Sequence, residues 1–430
     1  MPRAFLLVGL VYVASALQIQ TPCRFYASTS PGLEDVLGEE LSSDLIGASE
    51  IRKTRGGVEF QGPDETVGSR ALLWCRTANR VLELLKVGAD IDSADRLFAF
   101  TSSIPWREVM GLQQTLSVDS VLGNVGQELS HSHFTSLTVK NAVCDHFRKH
   151  FSGQRPSVDR DDADLPLLVY ISRGEVRIYR SLGGSGSLHK RGYRSAVHKA
   201  ALRETVAAGC LARSAWEPGQ DGTLIDPMCG SGTFPIEAAL KARRVAPGLL
   251  KLGLFGNAPN RISTFPLQRW PDHDQDAFEE CVADAMMQIR PDAGCDILAN
   301  DVHAGAVSLT KADANAAGVG QDISVSLGPA ASFSLGEVSP GMVISNPPWE
   351  KRIAGSDEAW GEMGTFLRNE MRGKSAWLLS GNPDCTKGLR MKASSRHPLS
   401  TGGVDLRLLH YTVLRPKQPE KHGSASAHAR

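Results

Sequence analysis

No stretch of this sequence restricts the possible folds as tightly as one glycine-rich block, Asp226-Pro227-Met228-Cys229-Gly230-Ser231-Gly232-Thr233. The block follows the apolar residues 224–225 and precedes a helix-like stretch, which predicts a strand, a sharp turn and a helix. Glycines at 230 and 232 allow the backbone to approach a ligand closely. The N-terminus of the following helix offers unpaired N–H groups to a carboxylate or phosphate. The block therefore predicts a ligand-binding turn in an α/β fold.

Strand and helix patterns alternate around this block. Strands are predicted at 224–226, 297–300, 342–345 and 376–380, with helices starting at 233 and 304. Such alternation is typical of a mostly parallel sheet covered by helices, so the fold class is α/β and Rossmann-like. A proline-containing insertion at 246–295 delays the second strand.

The glycines alone leave the ligand open, because a GxG turn also occurs in nucleotide and dinucleotide sites. The block lacks the Lys-Ser/Thr ending of a P-loop and the third glycine of the NAD fingerprint, so both phosphate interpretations lose support. Asp226, at the carboxyl end of its strand, is suited to orient waters or the amino group of a zwitterionic ligand.

A second block, Asn346-Pro347-Pro348-Trp349, follows a strand at the position where open α/β sheets place their active crevice. An exocyclic amine of adenine or guanine is a poor nucleophile, because its lone pair is delocalised into the ring. If Asn346 Oδ1 and the Pro347 carbonyl accept its two N–H bonds, the lone pair turns away from the ring and towards an electrophile bound beside the block. Pro347 and Pro348 restrict the backbone, and Trp349 offers a face on which an extruded base can stack. The alternative is a Pro-Pro turn after a buried strand.

Residues 25–182 have a different, α+β pattern. Helix-like segments at 32–45, 67–87 and 137–151 are interspersed with strand-like segments at 57–60, 167–172 and 175–179. A run of three glycines and a serine at 183–186 predicts a linker. We therefore predict a targeting segment at 1–24, an N-terminal module at 25–182, a linker at 183–199, a catalytic domain at 200–415 and a disordered tail at 416–430. We expect the catalytic domain to fold without residues 25–182.

The formal net charge is zero, so nucleic acid can be bound only through a local basic surface. Residues 130–200 contain twelve Lys or Arg against six Asp or Glu. The alternative for such charges is a set of solvated faces. The residues assigned to such a nucleic-acid-binding surface are Lys140, Arg148, Lys149, Arg173, Arg177, Arg191 and Arg194, with Arg155, Arg180 and Lys190 in the same region.

The N-terminus carries Arg3, an apolar run at 4–16 and the small-residue pattern Ala14-Ser15-Ala16, which predicts a signal-like targeting segment. The run is too short to anchor the chain in a membrane. A misassigned start is the alternative. The eight cysteines are scattered, without a CxxC pair or a Cys/His cluster, so no metal site is expected.

As a whole, the block at 226–233 resembles the first motif of S-adenosylmethionine-dependent methyltransferases that act on base amino groups. That resemblance implies S-adenosylmethionine as cofactor, with contacts from Asp226, Pro227, Gly230, Gly232 and Thr233. Asp301, which follows the strand at 297–300, fits the acidic position that accepts hydrogen bonds from both ribose hydroxyls. Asp301 is equally suited to cap the helix that starts at 304.

A narrower resemblance covers roughly residues 25–414. The chain is similar to the N-terminal half of bacterial large-subunit ribosomal RNA guanine methyltransferases that carry a THUMP domain. The matching stretches are 25–29 with 32–34, 56–60, 140–143, 158–161, 191–194, 226–233, 246–249 and 346–348. This resemblance implies a ferredoxin-like and THUMP module that binds RNA, followed by a Rossmann-like methyltransferase domain.

The sequence departs from that family at three points. Trp349 stands where the family usually has Tyr, and Leu327-Gly328-Pro329 stands where many members have an Asp for the cofactor adenine. That contact is expected from the backbone or is lost. The second methyltransferase fused to some bacterial members has no counterpart here, so its activity is not carried over.

We therefore predict methylation of the 2-amino group of a guanine in structured, large-subunit ribosomal RNA by a monomer without membrane contact in its mature form. Methylation of an adenine 6-amino group or of a transfer RNA guanine stays open, as does a catalytically lapsed RNA-binding or ribosome-assembly protein. A bacterial-type substrate favours a plastid over a mitochondrion as the destination of the leader, with the cytoplasm expected if the leader is not a signal.

Overall fold

The computed structural model describes residues 22–195, 201–349 and 356–415. The predicted leader up to residue 21, the last residues of the predicted linker and the predicted tail lie outside the described residues. The predicted fold class is confirmed: an α+β N-terminal module precedes a Rossmann-like domain with a mostly parallel sheet. No helix in the described ranges is long and apolar enough to cross a membrane.

The described part of the N-terminal module is built on an eight-stranded sheet of order β2-β3-β1-β4-β8-β7-β5-β6. Its strands are β1 Cys23–Ser28, β2 Ser49–Thr54, β3 Gly57–Gly62, β4 Arg80–Gly88, β5 Thr115–Leu122, β6 Ser157–Val158, β7 Leu165–Ser172 and β8 Glu175–Ser181. All pairings are antiparallel except those of β5 with β6 and β7. The eight strands therefore form one continuous sheet with β2 at one edge and β6 at the other.

The helices of this module are α1 Glu34–Ser42, α2 Thr66–Trp74, α3 Ala94–Ser102, α4 Trp106–Val109 and α5 Ser132–His150. They pack against the face of the sheet that carries buried residues such as Phe25, Val58 and Phe60. The prediction of one helix over 67–87 is wrong, because the helix ends at Trp74 and residues 80–88 form β4 between β1 and β8.

The catalytic domain contains a seven-stranded sheet, in the described residues, of order β11-β10-β9-β12-β13-β15-β14. Its strands are β9 Thr223–Asp226, β10 Ile297–Asp301, β11 Ile323–Leu327, β12 Pro340–Ser345, β13 Ser375–Ser380, β14 Ser395–Thr401 and β15 Val404–Thr412. The first five are parallel, and β14 and β15 add an antiparallel edge. The chain runs outward from β9 to β11 and returns beside β9 with β12, which creates a crevice at the strand ends.

The helices of the catalytic domain are α6 Glu204–Arg213, α7 Thr233–Ala242, α8 Pro247–Lys251, α9 Gln275–Met287, α10 Ala304–Ala316 and α11 Ser356–Glu370. Helices α8 and α9 belong to the insertion at 246–295 and pack against α2 of the N-terminal module. Leu249, Phe265, Trp270 and Phe278 are buried in the same core cluster as the N-terminal sheet. The insertion therefore joins the two modules through a shared core.

The described part of the predicted linker is packed instead of extending freely into solvent. Leu188, Arg191 and Tyr193 are buried, and the Leu188 amide donates to the Asn79 carbonyl at 2.8 Å. Arg80 donates to the Ser185 carbonyl at 2.6 Å. These contacts tie the connecting segment to the N-terminal sheet before the chain enters α6.

Candidate active site

The glycine-rich turn connects the buried strand β9 to helix α7 at the centre of the parallel sheet. Gly232 caps the helix with φ +75°, and a Cβ there would lie 2.5 Å from Thr310 Cγ2. Gly230 also has positive φ, but a Cβ on it would meet nothing within 4 Å. One glycine is thus required by packing, while the other faces open space where a ligand can approach.

Asp226, at the end of β9, connects this turn to the strand that carries the Asn-Pro-Pro-Trp block. Its Oδ1 accepts a 2.6 Å hydrogen bond from Ser345 Oγ and a 3.3 Å bond from the Met228 amide. Burial raises the pKa of Asp226 to about 7, and the charge of Asp301 acts in the same direction. The buried carboxyl is therefore close to its titration point at neutral pH.

Asp301, at the end of β10, also reaches the glycine turn. Its Oδ2 accepts from the Gly230 amide at 2.9 Å, and its Oδ1 accepts from the His303 amide at 2.9 Å. The second bond closes a turn just before α10, whose N-cap is His303 without a side-chain cap bond, so Asp301 does not cap this helix as the alternative foresaw. Each carboxylate oxygen keeps an acceptor site for another donor. The contact with a cofactor ribose stays a prediction.

Asn300 is a site residue that the sequence analysis missed. Its Nδ2 donates to the Pro227 carbonyl at 3.1 Å and to the Gly328 carbonyl at 2.8 Å, while its Oδ1 accepts from Ser326 Oγ. The side chain thus ties the ends of β9, β10 and β11 together. A polar residue at the carboxyl end of a buried strand, beside Asp301, was the signal that pointed to it.

Ser345 is a second site residue that was not predicted, because it was treated only as the last residue of an apolar strand. It is buried, and its hydroxyl donates to Asp226. The signal was a hydroxyl residue between an apolar strand and Asn346.

The Asn346-Pro347-Pro348-Trp349 block begins directly after β12. Trp349 Nε1 donates to Asn346 Oδ1 at 2.9 Å. Because an amide oxygen accepts two hydrogen bonds, Asn346 keeps one acceptor site, and the indole N–H fixes the orientation of its amide. This internal bond was not predicted.

Neighbouring groups hold the rest of the block in place. Trp360 Nε1, on α11, donates to the Pro348 carbonyl at 2.9 Å. The Trp349 ring lies against Gly381, where a Cβ would come within 2.6 Å of the ring. The Trp349 ring is half-buried at the end of β13, and its stacking on a base stays a prediction.

The stretch Leu327-Gly328-Pro329 begins at the last residue of β11, where Leu327 is paired with Asp301 of β10. Leu327 is 58 % exposed, and Val302, directly after Asp301, is 55 % exposed. The Gly328 carbonyl accepts from Asn300, and the Gly328 amide donates to the Asp301 carbonyl at 3.0 Å. Two exposed apolar side chains therefore flank this end of the crevice, with no acidic side chain at 327–329.

Two residues assigned to the RNA-binding surface are paired with other groups of the chain. Arg191 is 2 % exposed; its guanidinium donates to the Leu188 and Arg76 carbonyls and lies 3.5 Å from Glu237. Arg194 is ion-paired with Glu204 at 3.0 Å and donates to Thr233 Oγ1 at 2.8 Å. The RNA-binding assignment of Arg191 is therefore wrong, because a count of charges does not reveal burial. Arg194 is only partly buried, and its contact with RNA stays a prediction.

Arg194 supports the glycine-rich turn, because the Thr233 hydroxyl that it donates to belongs to the first residue of α7, directly after that turn. Burial raises the pKa of its partner Glu204 to about 7, against the opposing charge of Arg194. Arg180, from the same basic region, is also internal: it pairs with Glu83 and Asp272 and stacks on Trp270 at 4.0 Å.

The other assigned basic residues lie on the N-terminal module. Lys140, Arg173 and Arg177 line a groove of about 1480 Å³ on its sheet, whereas Arg148 and Lys149 occupy the last turn of α5. Arg177 is paired with Glu59 and Glu175, and Arg148 with Asp145. Their contact with RNA stays a prediction.

The crevice at the strand ends therefore brings together three sets of groups: the open side of Gly230 at the start of α7, the carboxylates of Asp226 and Asp301, and the acceptors of Asn346 and Pro347. In the described ranges, no group of three or more His, Cys, Asp or Glu is placed to hold a metal ion. Such an arrangement can hold a ligand with a charged end and a hydroxyl-bearing ring, and can accept hydrogen bonds from an amine beside it.

Family models match the chain in three consecutive segments. Residues 24–82 match the RlmL ferredoxin-like domain, residues 92–180 the THUMP domain, and residues 191–410 the RMKL-like methyltransferase domain.

Two relatives and one solved structure align with most of the chain. Ribosomal RNA large subunit methyltransferase K/L of Syntrophotalea carbinolica is 32 % identical over 409 residues, which cover 92 % of this chain and 54 % of the relative. A Synechocystis protein named "Putative RNA methyltransferase slr0064" is 33 % identical over 398 residues, covering 90 % of this chain and 96 % of the relative. A "possible methylase" from Clostridium difficile superposes with a TM-score of 0.79 at 26 % identity, covering 93 % of this chain and all of that one. The chain thus spans about half the length of the K/L relative.

Proposed function

Because this chain belongs to the RMKL-like methyltransferase family, we propose that it transfers the methyl group of S-adenosylmethionine to the 2-amino group of a guanine in large-subunit ribosomal RNA. Family membership confirms the resemblance predicted from the sequence. The observation that carries the proposal is the position of Asn346 and Pro347 at the end of β12, joined through Ser345 and Asp226 to the glycine turn.

The residues of the crevice fit the cofactor. When bound, S-adenosylmethionine supplies an electrophilic methyl group on a sulfonium sulfur. Gly230 leaves open space beside the N-terminus of α7, which suits the carboxylate of the cofactor. Asp301 keeps acceptor sites for the ribose hydroxyls, and Asp226 provides a carboxyl for the amino group. Pro227, Gly232 and Thr233 complete the turn.

The amine of the base is oriented by acceptors of this chain. Asn346 Oδ1 and the Pro347 carbonyl take its two N–H bonds, which directs the nitrogen lone pair towards the methyl group. Trp349 keeps the Asn346 amide oxygen in position through its indole N–H. Its ring provides a face for the extruded base.

The identity of the modified nucleotide is tested by mass spectrometry of ribosomal and transfer RNA from cells with and without the protein. Loss of one N2-methylguanine from large-subunit ribosomal RNA is the expected result. Loss of an N6-methyladenine or of a transfer RNA methylguanine would replace the proposed substrate with one of the two alternatives. Unchanged modification in all these RNAs would point to a catalytically lapsed RNA-binding protein.

Cofactor binding is tested separately by calorimetry with the purified chain. Asp301→Ala is expected to weaken S-adenosylmethionine binding by about 1.5–3 kcal/mol, the scale of hydrogen bonds to a charged acceptor. Asp301→Asn is the matched control, because it keeps one acceptor oxygen and is expected to lose less. If neither variant changes the affinity, the ribose contact lies elsewhere.

For the location of the protein we propose a plastid, ahead of a mitochondrion. The support is the apolar run at 4–16 with its Ala14-Ser15-Ala16 ending, together with a substrate found in bacterial-type ribosomes. The test is a fusion of residues 1–40 to a fluorescent protein in the native cell. A diffuse cytosolic signal would contradict it and favour the cytoplasm.

A further inference from the structure

The groove on the N-terminal sheet, here called the sheet-face groove, plays no part in the chemistry described above. It has a volume of about 1480 Å³ and is lined by strands β1–β8 and one side of α5. We propose that it binds an unpaired segment of the RNA substrate, with bases against the half-buried rings of Tyr26 and Tyr170 and phosphates against its cations. This inference rests on the proposed function, because it takes RNA as the substrate.

The groove lies on the face of the sheet that points away from the core of the module. Side chains of a strand alternate between the two faces. Phe25 and Ala27 are buried in the core, so Tyr26 between them points the other way. Val169 and Ile171 are likewise buried on either side of Tyr170.

The floor of the groove is aromatic. Tyr26, Tyr170 and Tyr179 all line it, and the rings of Tyr26 and Tyr179 lie 6.1 Å apart. Tyr26 and Tyr170 are half-buried, which leaves part of each ring accessible. Aromatic side chains on an open sheet face stack unpaired bases, whereas the bases of a duplex are already stacked on each other.

The charge of the groove suits a polyanion. Seven basic and three acidic side chains line it, an excess of four positive charges. The three acidic residues are already neutralised: Glu59 and Glu175 pair with Arg177, and Asp119 pairs with Arg80.

The cations that remain are Arg55, Lys140, Arg160 and Arg173. Among the residues that the structure describes, none of these four forms an ion pair, and all but Lys140 are exposed. Four cations without an acidic partner, around an aromatic floor, match the alternation of phosphates and bases along a single strand. A folded protein partner would have to place acidic side chains at four separate positions, whereas the phosphates of a single strand recur along its whole length.

The proposal is tested by binding of the full chain, without cofactor, to a fluorescent twelve-nucleotide RNA that has no self-complementarity, and to the same RNA in a duplex. The wild type is expected to prefer the single strand. Tyr170→Ala is expected to lower the affinity about tenfold, the scale of one stacked base, while Tyr170→Phe stays near wild type. Cofactor affinity of each variant reports whether the chain is folded.

Charge reversal supplies an independent arm. Arg55→Glu and Arg160→Glu, tested as single variants, are each expected to weaken binding and to flatten the dependence of log affinity on log salt by about 0.7 per lost phosphate contact. Lys53→Glu is the matched control, since Lys53 is exposed on β2 but does not line the groove.

Three results would overturn the proposal: equal affinity for duplex and single strand, equal affinity of Tyr170→Ala and wild type, or equal losses in the Lys53 control and the groove variants. If every groove variant binds RNA as tightly as the wild type, the groove would instead be a site for a protein partner. Methyl transfer is measured apart from binding, so normal binding without transfer would count against the proposed function and not against the groove.

Discussion

At the scale of single residues, the proposed reaction depends on one acceptor atom, Asn346 Oδ1. It accepts one hydrogen bond from Trp349 and has one site left for the base amine. Asn346→Ala is expected to lower turnover about a hundredfold or more, with cofactor affinity close to wild type, because the lost acceptor is proposed to contact the base amine and not the cofactor. Single-turnover methyl transfer and calorimetry measure the two quantities.

Trp349→Phe is the matched control for that prediction. It keeps an aromatic face but removes the indole N–H, so a smaller loss of about fivefold in turnover is expected, the scale of one neutral hydrogen bond. If Asn346→Ala turns over within a few-fold of wild type, the base-orienting role is wrong.

Asp226 makes the stability of the cofactor-free protein depend on pH. Burial raises its pKa in the folded chain to about 7, whereas an unfolded Asp titrates near 3.9. Between these values the folded chain holds a proton that the unfolded chain has lost, so the free energy of unfolding falls as pH rises from about 4 to about 7.

Asp226→Asn is therefore expected to become more stable relative to wild type as pH rises from 5 to 8, by about 2.5 kcal/mol. The amide keeps an acceptor for Ser345 Oγ, so the hydrogen bond between β9 and β12 is retained. Urea unfolding of both proteins at several pH values measures the difference, and calorimetry is expected to show weaker cofactor binding by the variant. Parallel stability profiles would show that Asp226 does not titrate in this range.

Much of the site was predictable because its residues sit at the ends of strands in two recognisable blocks. What the sequence did not reveal were bonds between segments distant in the chain, such as Ser345 with Asp226 and Trp349 with Asn346. The burial of Arg191 also escaped prediction, because its partners Arg76 and Glu237 come from two different modules.

At the scale of elements, the crossing of α7 and α10 explains why Gly232 cannot carry a side chain. Gly232→Ala is expected to cost about 1–2 kcal/mol for its left-handed backbone, and more for the contact of the new Cβ with Thr310. Adding Thr310→Ser removes the clashing Cγ2 but keeps the hydroxyl that donates to the Gly230 carbonyl. The double variant is therefore expected to regain only part of the contact loss in urea unfolding, because Thr310 Oγ1 and Cβ would still lie 3.0 and 3.1 Å from the new Cβ.

Gly230→Ala separates packing from ligand binding. Its φ is +55°, and a Cβ there meets no protein atom within 4 Å, so only the backbone cost applies to stability. Cofactor affinity, in contrast, is expected to fall more in Gly230→Ala than in the Gly232/Thr310 double variant. The opposite order would place the ligand away from Gly230.

The misassigned helix at 67–87 shows which elements local patterns cannot fix. Leu82, Leu84 and Leu85 satisfy a helical face as well as a strand, and nothing nearby in sequence separates the two. The strand is chosen by pairing of β4 with β1, more than fifty residues earlier, and with β8, about a hundred residues later. Such pairings are non-local, so they are invisible to periodicity.

At the scale of the whole molecule, the insertion at 246–295 decides whether the modules are separable. From the sequence it was predicted only as an irregular, proline-containing insertion between two strands. In the structure it carries α8 and α9 into the core of the N-terminal module, and Arg76 donates to the Leu240 and Val245 carbonyls at the end of α7. This arrangement changes the expectation that the catalytic domain folds alone.

Removal of residues 22–182 is therefore expected to prevent stable folding of the catalytic domain, not merely to remove RNA affinity. The cut exposes Leu249, Phe265, Trp270 and Phe278, and each such side chain contributes about 1.5–3 kcal/mol when buried. Their sum is comparable to the total stability of about 5–15 kcal/mol of an ordinary domain.

Urea unfolding of a 183–430 fragment is expected to show no cooperative transition, and co-expression of residues 22–182 as a separate chain is expected to restore it. A fragment that alone unfolds at the midpoint of the whole chain would show that the shared core contributes little.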